Sequence, residues 1–292
     1  MKFLKKLFLC LLGGVAIAAL GCFVYYQSVT ASVKLNTDKL NTAQESVTLF
    51  DGEGNPVSQC SFSGKSEVSF GEIPSHTVNA FLAAEDKNFF SHHGFDYKRM
   101  AMALFKNITS FSFKEGASTI SQQLVKNTQL SPEKTIKRKL RELKLTKELE
   151  KKYGKEEILE MYLNTIYFGH GCFGLESAAR FYFNRLPAEL SLGQSAVLSG
   201  LIKSPNNYSP FKKPENCLKR RNFILKVMQE NGYIDASERE KAENEPLPIE
   251  SARETSAAQC YYSAVMDELE ELIGEEFYGG LKVYTFLDVK LQ

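Results

Sequence analysis

Residues 85–96 read EDKNFFSHHGFD, which sets two acids, two histidines and a glycine turn directly behind an apolar stretch with helical spacing (Val78, Phe81, Leu82, Ala84). A carboxylate at the end of such a helix, shielded from water by Phe89 and Phe90, has its pKa raised by desolvation toward values at which it can take a proton from a hydroxyl. Glu85 is the candidate base. The plainer alternative is a capped helix end whose acids are solvated. His92 and His93 are conceivable metal ligands, but adjacent side chains point apart, and a structural histidine suits the pattern better.

Three further clusters carry chemical potential. Residues 116–123, GASTISQQ, run small and hydroxyl residues into a helix expected to start near Ser118. Free backbone N–H groups at a helix start attract anionic oxygens, and Ser118, Thr119, Gln122 and Gln123 add neutral donors for sugar hydroxyls or phosphate; a Ser/Thr-capped helix with no ligand is the alternative. The next helix, expected over 132–153, lies in a stretch with eleven Lys/Arg against four acids between Lys126 and Lys155. Lys134, Arg138 and Arg141 fall on one face, and Glu142, three residues from Lys139 and four from Arg138, is the lone acid among them. Such a face is either a solvated set of ion pairs or a seat for a pyrophosphate at a membrane surface. Finally, residues 155–174 combine core-facing Ile158, Leu159, Tyr162 and Leu163 with Glu160 and Asn164, a pair expected to play a structural part by fixing the glycine-rich turn that follows.

The elements that must position these groups are mostly helical. Around the Asp51-Gly52-Glu53-Gly54-Asn55 turn, apolar and polar residues alternate, predicting a hairpin with strands near 47–50 and 57–62. After Pro74 helices dominate: one from a Ser75 cap to Glu85, one over 97–108, a loop over 108–115, the basic helix closed by Gly154, another over 156–164, and two opened by capping boxes at Ser191–Gln194 and Asp235–Glu238. Residues 279–286 return to strand character. The 292 residues carry a net charge of only +1, so composition points to no nucleic-acid partner.

At the N-terminus Lys2, Lys5 and Lys6 precede an uncharged run over 7–26. At roughly 1.5 Å per residue that run reaches about 30 Å, enough for a single-pass transmembrane helix with its N-terminus in the cytoplasm and the remainder outside. A cleaved signal peptide (Ala16-Ile17-Ala18), lipid attachment at Cys22 and a buried helix are the competing readings. Cys10 and Cys22 fall within the run; Cys60, Cys172, Cys217 and Cys260 are expected mostly as buried free thiols.

Taken together, in order and spacing, these clusters resemble family 51 glycosyltransferases, the glycan-polymerising domains of class A penicillin-binding proteins and monofunctional transglycosylases. The resemblance rests on Glu85, Asp86, Phe89, His92, Gly94 and Asp96; on Gly116, Ser118, Thr119, Ile120, Gln122 and Gln123; on Arg138, Lys139 and Glu142; on Lys155, Ile158, Leu159, Glu160, Tyr162, Leu163 and Asn164; and on an Arg220-Arg221 pair opening a helix ahead of Ile224 and Leu225. It covers about residues 46–250. Each motif alone is moderately specific, and five in order are very specific. Ser121 replaces a usual threonine, Lys134 a common arginine, Cys172 an often aromatic residue and Gln194 a usual glutamate.

The resemblance implies a mainly α, lysozyme-like, two-lobed domain with a small N-terminal β element, partly seated in the membrane. It implies that lipid II is polymerised into β-1,4-linked glycan with inversion and release of polyprenyl pyrophosphate. Glu85 would deprotonate the acceptor hydroxyl, and Glu142 would help position the substrate or leaving group, through a divalent cation (Mg or Mn) and with no organic cofactor. Asp86, Ser118, Gln122 and Gln123 would bind substrate, while Lys126, Lys134, Arg138 and Lys139 would offset the charge of the departing pyrophosphate. The implied organisation is a cytoplasmic tail over 1–6, an anchor over 7–26, a stalk over 27–45, the glycosyltransferase over 46–250 and, over 251–292, the start of a linker toward a transpeptidase. Cell-wall synthesis proteins are implied partners. Ser-x-x-Lys occurs only at 131–134 and 209–212 and no Lys-Thr-Gly follows, so neither transpeptidase activity nor covalent β-lactam binding is expected. Two other readings remain: a lysozyme-like hydrolase with Glu85 as acid, and an inactive lipid II-binding scaffold.

Overall fold

The computed structural model describes residues 2–40, 47–55, 67–109, 118–131 and 135–249, together with residues 261, 264–266, 268–269, 272, 281–286 and 288. It is mainly helical. In chain order come α1 (Lys2–Thr30), β1 (Val47–Phe50), α2 (Ser75–Glu85), α3 (Tyr97–Thr109), α4 (Ile120–Gln129), α5 (Ile136–Lys152), α6 (Lys155–Thr165), α7 (Leu175–Phe183), α8 (Leu192–Leu201), α9 (Pro205–Tyr208), α10 (Pro214–Glu230), α11 (Ala236–Glu243) and β2 (Leu281–Tyr284).

Local chemistry fixes most of the boundaries. Thr119, Ser191 and Asp235 each accept a hydrogen bond from the backbone N–H three residues on, and the side-chain oxygens of Gln122, Gln194 and Glu238 accept one from the cap residue's own N–H, closing three reciprocal boxes. Gln194 therefore fills the capping place of the usual glutamate without loss. Some expected starts move. Ser75 is the first residue of α2 rather than its cap, which is Pro74. Thr119 rather than Ser118 caps α4, and α5 begins at Ile136 behind a Thr135 cap. The Arg220-Arg221 pair lies inside α10 rather than opening it.

A large core unites α2, α4, α6 and α7 around the fully buried rings of Phe81, Phe89, Phe168, Tyr162 and Tyr182. A second cluster joins Ala80 of α2, Ala196 of α8 and Ile224, Leu225 and Met228 of α10. Small residues on α2 and α8 let these three helices lie close together. At Gly200 a Cβ would stand 3.0 Å from Arg220 Cγ, so the absence of a side chain there makes room for the arginine stem.

Two long-range ties bring the flanks onto this body. Asn164 exchanges two 3.0 Å hydrogen bonds with the Val68 backbone, and Glu160 accepts from Phe70 N at 2.7 Å. These polar residues of α6 therefore hold the segment before α2, rather than the glycine-rich turn. β1 pairs in parallel with β2, Val47 opposite Leu281 through Phe50 opposite Tyr284, and the last two rings stack at 4.7 Å. The Asp51–Asn55 turn forms, with Asp51 Oδ1 accepting from Asn55 N at 2.7 Å; the expected second hairpin strand at 57–62 and most of the expected loop over 108–115 lie outside the described residues.

The helix expected over 7–26 extends over α1. Among the described residues no helix is long and apolar enough to cross a membrane; the side chains of residues 1–12, which include the start of the apolar run, are outside that set. The C-terminal end of α1 is fastened to α5. Lys144 Nζ donates to Thr30 O at 2.9 Å and Arg141 Nε to Val29 O at 3.4 Å, so cations meet the negative end of the helix. Residues after it stay on the body: Leu35 N donates to Glu148, Asn36 pairs with Gln129, and Leu40 is fully buried.

Arg221 is the largest fully buried side chain among the described residues. It donates from Nη1 to Glu245 O at 2.6 Å and from Nη2 to Glu243 O, closing the end of α11. Arg221→Met removes the donor from both half-buried carbonyls. At about 1.5–3 kcal/mol per hydrogen bond to a charged group, a loss of about 3 kcal/mol is expected, read as a lower urea midpoint at unchanged slope.

Candidate active site

Glu85 is the last residue of α2, where the helix exposes its unpaired carbonyls and disfavours a negative charge. Its carboxylate accepts a 2.7 Å hydrogen bond from Gln123 Nε2. The orientation of that amide is set from behind, because the Tyr162 hydroxyl donates to Gln123 Oε1 at 3.2 Å and so turns Nε2 toward the acid. Burial raises the Glu85 carboxyl above its ordinary value; the Gln123 hydrogen bond and the charges of Arg220, Arg99 and Lys203 pull the other way without cancelling it.

The neighbouring glutamine holds the second acid. Gln122 Nε2 donates to Glu142 Oε1 at 3.1 Å while its Oε1 accepts from Thr119 N at 3.1 Å. Gln122 is buried, as is Glu142, and Lys139 Nζ also bonds Glu142 Oε1. Successive residues on a helix point about 100° apart, so α4 serves as a beam with one glutamate tied to each side.

The start of that beam is fixed by the rest of the first cluster. Asp86, fully enclosed, accepts from His92 at 2.9 Å and from Ile120 N at 3.1 Å, placing a carboxylate on the first N–H of α4. Thr119 Oγ1 donates to Gly94 O at 2.7 Å. Gly94 has a φ of +86°, and a Cβ there would press on Thr146 and Glu150 at 3.0 and 3.1 Å. Arg99 Nη1 donates to Glu85 O, and Nη2 to Ser118 O at 3.1 Å.

A family model described as Transglycosylase matches residues 53–229, the span that contains all of these groups. The chain belongs to the transglycosylase family. It is 36% identical to penicillin-binding protein 1A of Aquifex aeolicus over 294 residues, 99% of this chain and 40% of that protein. To penicillin-binding protein 1A/1B of Bacillus subtilis it is 38% identical over 300 residues, 99% of this chain and 33% of that protein. The chain thus spans about two fifths or less of the length of these relatives. A crystal structure of penicillin-binding protein 1A from Haemophilus influenzae aligns at 23% identity and a TM-score of 0.42, over 85% of this chain and 27% of that one, and adds nothing to the assignment.

Around these groups the cations divide by environment. Arg138 Nε and Nη1 are enclosed without a partner among the described residues, whereas Lys139 is held by Glu142. Lys126 sits half-buried on α4, and Lys134 lies outside the described residues. Arg141, expected on the same face as Arg138, is turned to α1. Ser118 contributes its carbonyl to Arg99. Phe89 is buried but Phe90 is half exposed, so only the first of the pair shields the cluster. His92 is spent on Asp86 and His93 is exposed. The residues around Glu142 do not fit a resident divalent cation: the ammonium of Lys139 stands at Oε1, and among the described residues no group of three or more His, Cys, Asp or Glu side chains is placed to hold a metal. Cys172 and Cys217 are buried free thiols, as expected, and burial pushes Cys217 up to about 12, which leaves it inert; Cys60 and Cys260 lie outside the described residues.

Arg99, Tyr162 and Arg220 were not singled out as site residues by spacing. The one local signal was Asp96, which accepts from Arg99 N at 2.9 Å as a capping residue does, three positions ahead of the arginine that reaches the site. Asn88 also donates to Asp96; burial pushes its carboxyl up, but these bonds together with the charges of His92 and Arg99 hold it low.

A raised carboxyl has a stability consequence. The contribution of Glu85 is fully present below the ordinary value of 4.5 and is lost as pH rises through its higher folded value, because the ionised form is the costly one. Glu85→Gln should therefore melt above the parent at pH 7.5, by about 2–4 °C for each kcal/mol recovered, with the difference closing as pH falls toward 4.5. Equal melting temperatures at both pH values would remove desolvation as the governing effect.

Proposed function

We propose that this chain is a peptidoglycan glycosyltransferase that polymerises lipid II into β-1,4-linked glycan with inversion at the anomeric carbon and release of polyprenyl pyrophosphate. The observation that carries the reading is a half-buried carboxylate, Glu85, held by Gln123 on the same short helix whose neighbouring residue holds the cation-paired Glu142. Family membership supports the reaction class.

In this reading a Glu85 oxygen takes the proton of the acceptor's 4-hydroxyl as that oxygen attacks the anomeric carbon of the donor. The bond to pyrophosphate breaks on the opposite face, and the electron pair leaves with the phosphate. Arg138, whose Nε and Nη1 have no partner among the described residues, and Lys139 would meet the charge that develops there, and Lys126 and Lys134 are the further cations assigned to that task. Glu142 keeps Lys139 in place. Ser118, Gln122 and Asp86 act mainly by fixing α4, since their described contacts are to Arg99, to Glu142 and Thr119, and to His92 and Ile120. A divalent ion (Mg or Mn) belongs in this reading only as a companion of the substrate pyrophosphate, the way Mg²⁺ is commonly bound.

The substrate is lipid-linked, so the chain works at the cytoplasmic membrane with its catalytic body on the outer side. Lys2, Lys5 and Lys6 ahead of the apolar run support that placement, as do exposed Ile17, Leu20, Phe23 and Val24 along α1. The clamp of α1 onto α5 would then hold the cationic helix at the surface. A lysozyme-like, two-lobed body is the finer reading of the fold, and the two separate buried clusters support it.

The test is polymerisation of labelled lipid II by the detergent-solubilised chain. Glycan ladders are expected from the parent, a loss on the order of 10²–10⁴ for Glu85→Gln, and a loss on the order of 10² in kcat for Arg138→Ala. A folded parent that shortens soluble glycan instead is a hydrolase; one that binds lipid II without extending it is a scaffold.

A further inference from the structure

The hydrogen bonds behind Glu85 have a direction. Tyr162 Oη donates to Gln123 Oε1 at 3.2 Å, and Gln123 Nε2 donates to Glu85 Oε2 at 2.7 Å. A glutamine amide has one end that only accepts and one that only donates, whereas a phenol hydroxyl can do either. In the observed order both protons point toward Glu85, and an ionised carboxylate, which only accepts, completes the chain. A protonated Glu85 completes the opposite chain equally well: its O–H donates to Oε1, and Nε2 donates to the tyrosine oxygen. The orientation of the Gln123 amide and the protonation of Glu85 are therefore linked, and Tyr162 stands at the end of the chain that selects between the two orders.

The surroundings of Tyr162 favour the first order. α6 carries its ring into the main core, where it is fully buried and close packing holds the hydroxyl at Oε1. Reversal of the amide takes from the phenol the hydrogen bond that its proton makes. The backbone of α4 does not yield instead, because the adjacent Gln122 is bonded at both ends of its side chain, to Thr119 N and to Glu142. The charges that act on Glu85 come from other elements, Arg220 of α10, Arg99 of α3 and Lys203 after α8. Tyr162 is neutral and reaches the carboxylate through the amide.

We propose that Tyr162 is a positioning residue for the base: by donating to Gln123 Oε1 its hydroxyl holds Nε2 toward Glu85 and so favours the ionised carboxylate over the protonated one. Once Glu85 has taken the proton of the sugar hydroxyl, the same contact resists the turn of the amide that would bond the new O–H, and the acid gives its proton up again readily. This inference rests on Glu85 serving as the base of the proposed glycosyl transfer.

Two measurements on the whole chain in detergent test it. The first is titration of Glu85 by carbon NMR of glutamate labelled at the side-chain carboxyl, with the signal assigned by its disappearance in Glu85→Gln. Tyr162→Phe keeps the ring and removes the donor, and should move the Glu85 midpoint up by about 0.4–1 pH units. A ring-fluorinated tyrosine at the same position is a stronger donor and should move it down; it also keeps the test readable where Tyr162→Phe fails to fold. In Gln123→Met the link is broken, so adding Tyr162→Phe should move the midpoint no further. The second measurement is the pH profile of kcat/KM with lipid II, where Tyr162→Phe should lose roughly fivefold more rate below the parent's midpoint than on the plateau. A midpoint that stays in place in folded Tyr162→Phe overturns the proposal, as does the same shift in the Gln123→Met background or a rate loss equal at every pH. The titration needs no turnover, so these shifts in a chain that makes no glycan would uphold the coupling while removing the proposed function.

Discussion

The hydrogen bond from Gln123 to Glu85 joins two requirements that otherwise conflict. Withdrawing a carboxylate from water at the end of a helix makes it a better proton acceptor and also makes it costlier to ionise. A charge-assisted hydrogen bond from a neutral amide contributes about 1.5–3 kcal/mol, against roughly 0.3–1 kcal/mol for the helix end. The amide thus outweighs the end of α2 but does not cancel burial, and the carboxyl remains raised. The Tyr162 hydroxyl at Gln123 Oε1 supports this, because it occupies the amide oxygen and so favours the orientation that turns Nε2 toward the acid.

Much of the surrounding structure serves to hold α4, and with it Gln122 and Gln123, in place. The carboxylate of Asp86 sits on its first N–H, Thr119 closes its cap and reaches Gly94, and Ser121 donates to Glu150. Glu150 in turn accepts from Lys155 at 2.8 Å, and that ammonium lies 4.4 Å from the centre of the Phe89 ring. The hydroxyl of Ser121 is therefore what the site needs at that position, which accounts for serine standing in for threonine. α5 is held from both sides, by α4 through Glu142 and by the end of α1 through Arg141 and Lys144. The position of the cations relative to the base and the placement of α1 are consequently parts of one rigid arrangement.

What the sequence made legible was local. The reciprocal boxes at Ser191 and Asp235, the apolar stripes of α2 and α6 and the helix over 97–108 depend on residues three or four apart, and each formed within a few positions of its expected place. Glu85 and Glu142 were visible as acids in unusual company. What could not be read were bonds between distant segments. Nothing in the order of residues says that Gln122 faces one glutamate and Gln123 the other, that Asn164 ties down Val68, or that Arg221 closes α11 while its neighbour Arg220 lies over Gly200 beside Tyr208. Phe90 failed as a shield for a related reason: whether one or both of two adjacent rings is buried is decided by tertiary packing, which left Phe89 buried and Phe90 half exposed. The pairing of β1 with β2 spans most of the chain and has no local signature.

The central claim is that the raised carboxyl of Glu85 is the group whose ionisation governs glycosyl transfer. The most direct measurement is to follow the acid limb of kcat/KM for glycan formation and the titration of the Glu85 carboxyl on the same preparation, under the same detergent and salt. The account predicts that the two midpoints coincide and that both lie above the ordinary glutamate value. An acid limb that falls where Glu85 does not titrate would contradict it and assign the proton transfer to another group.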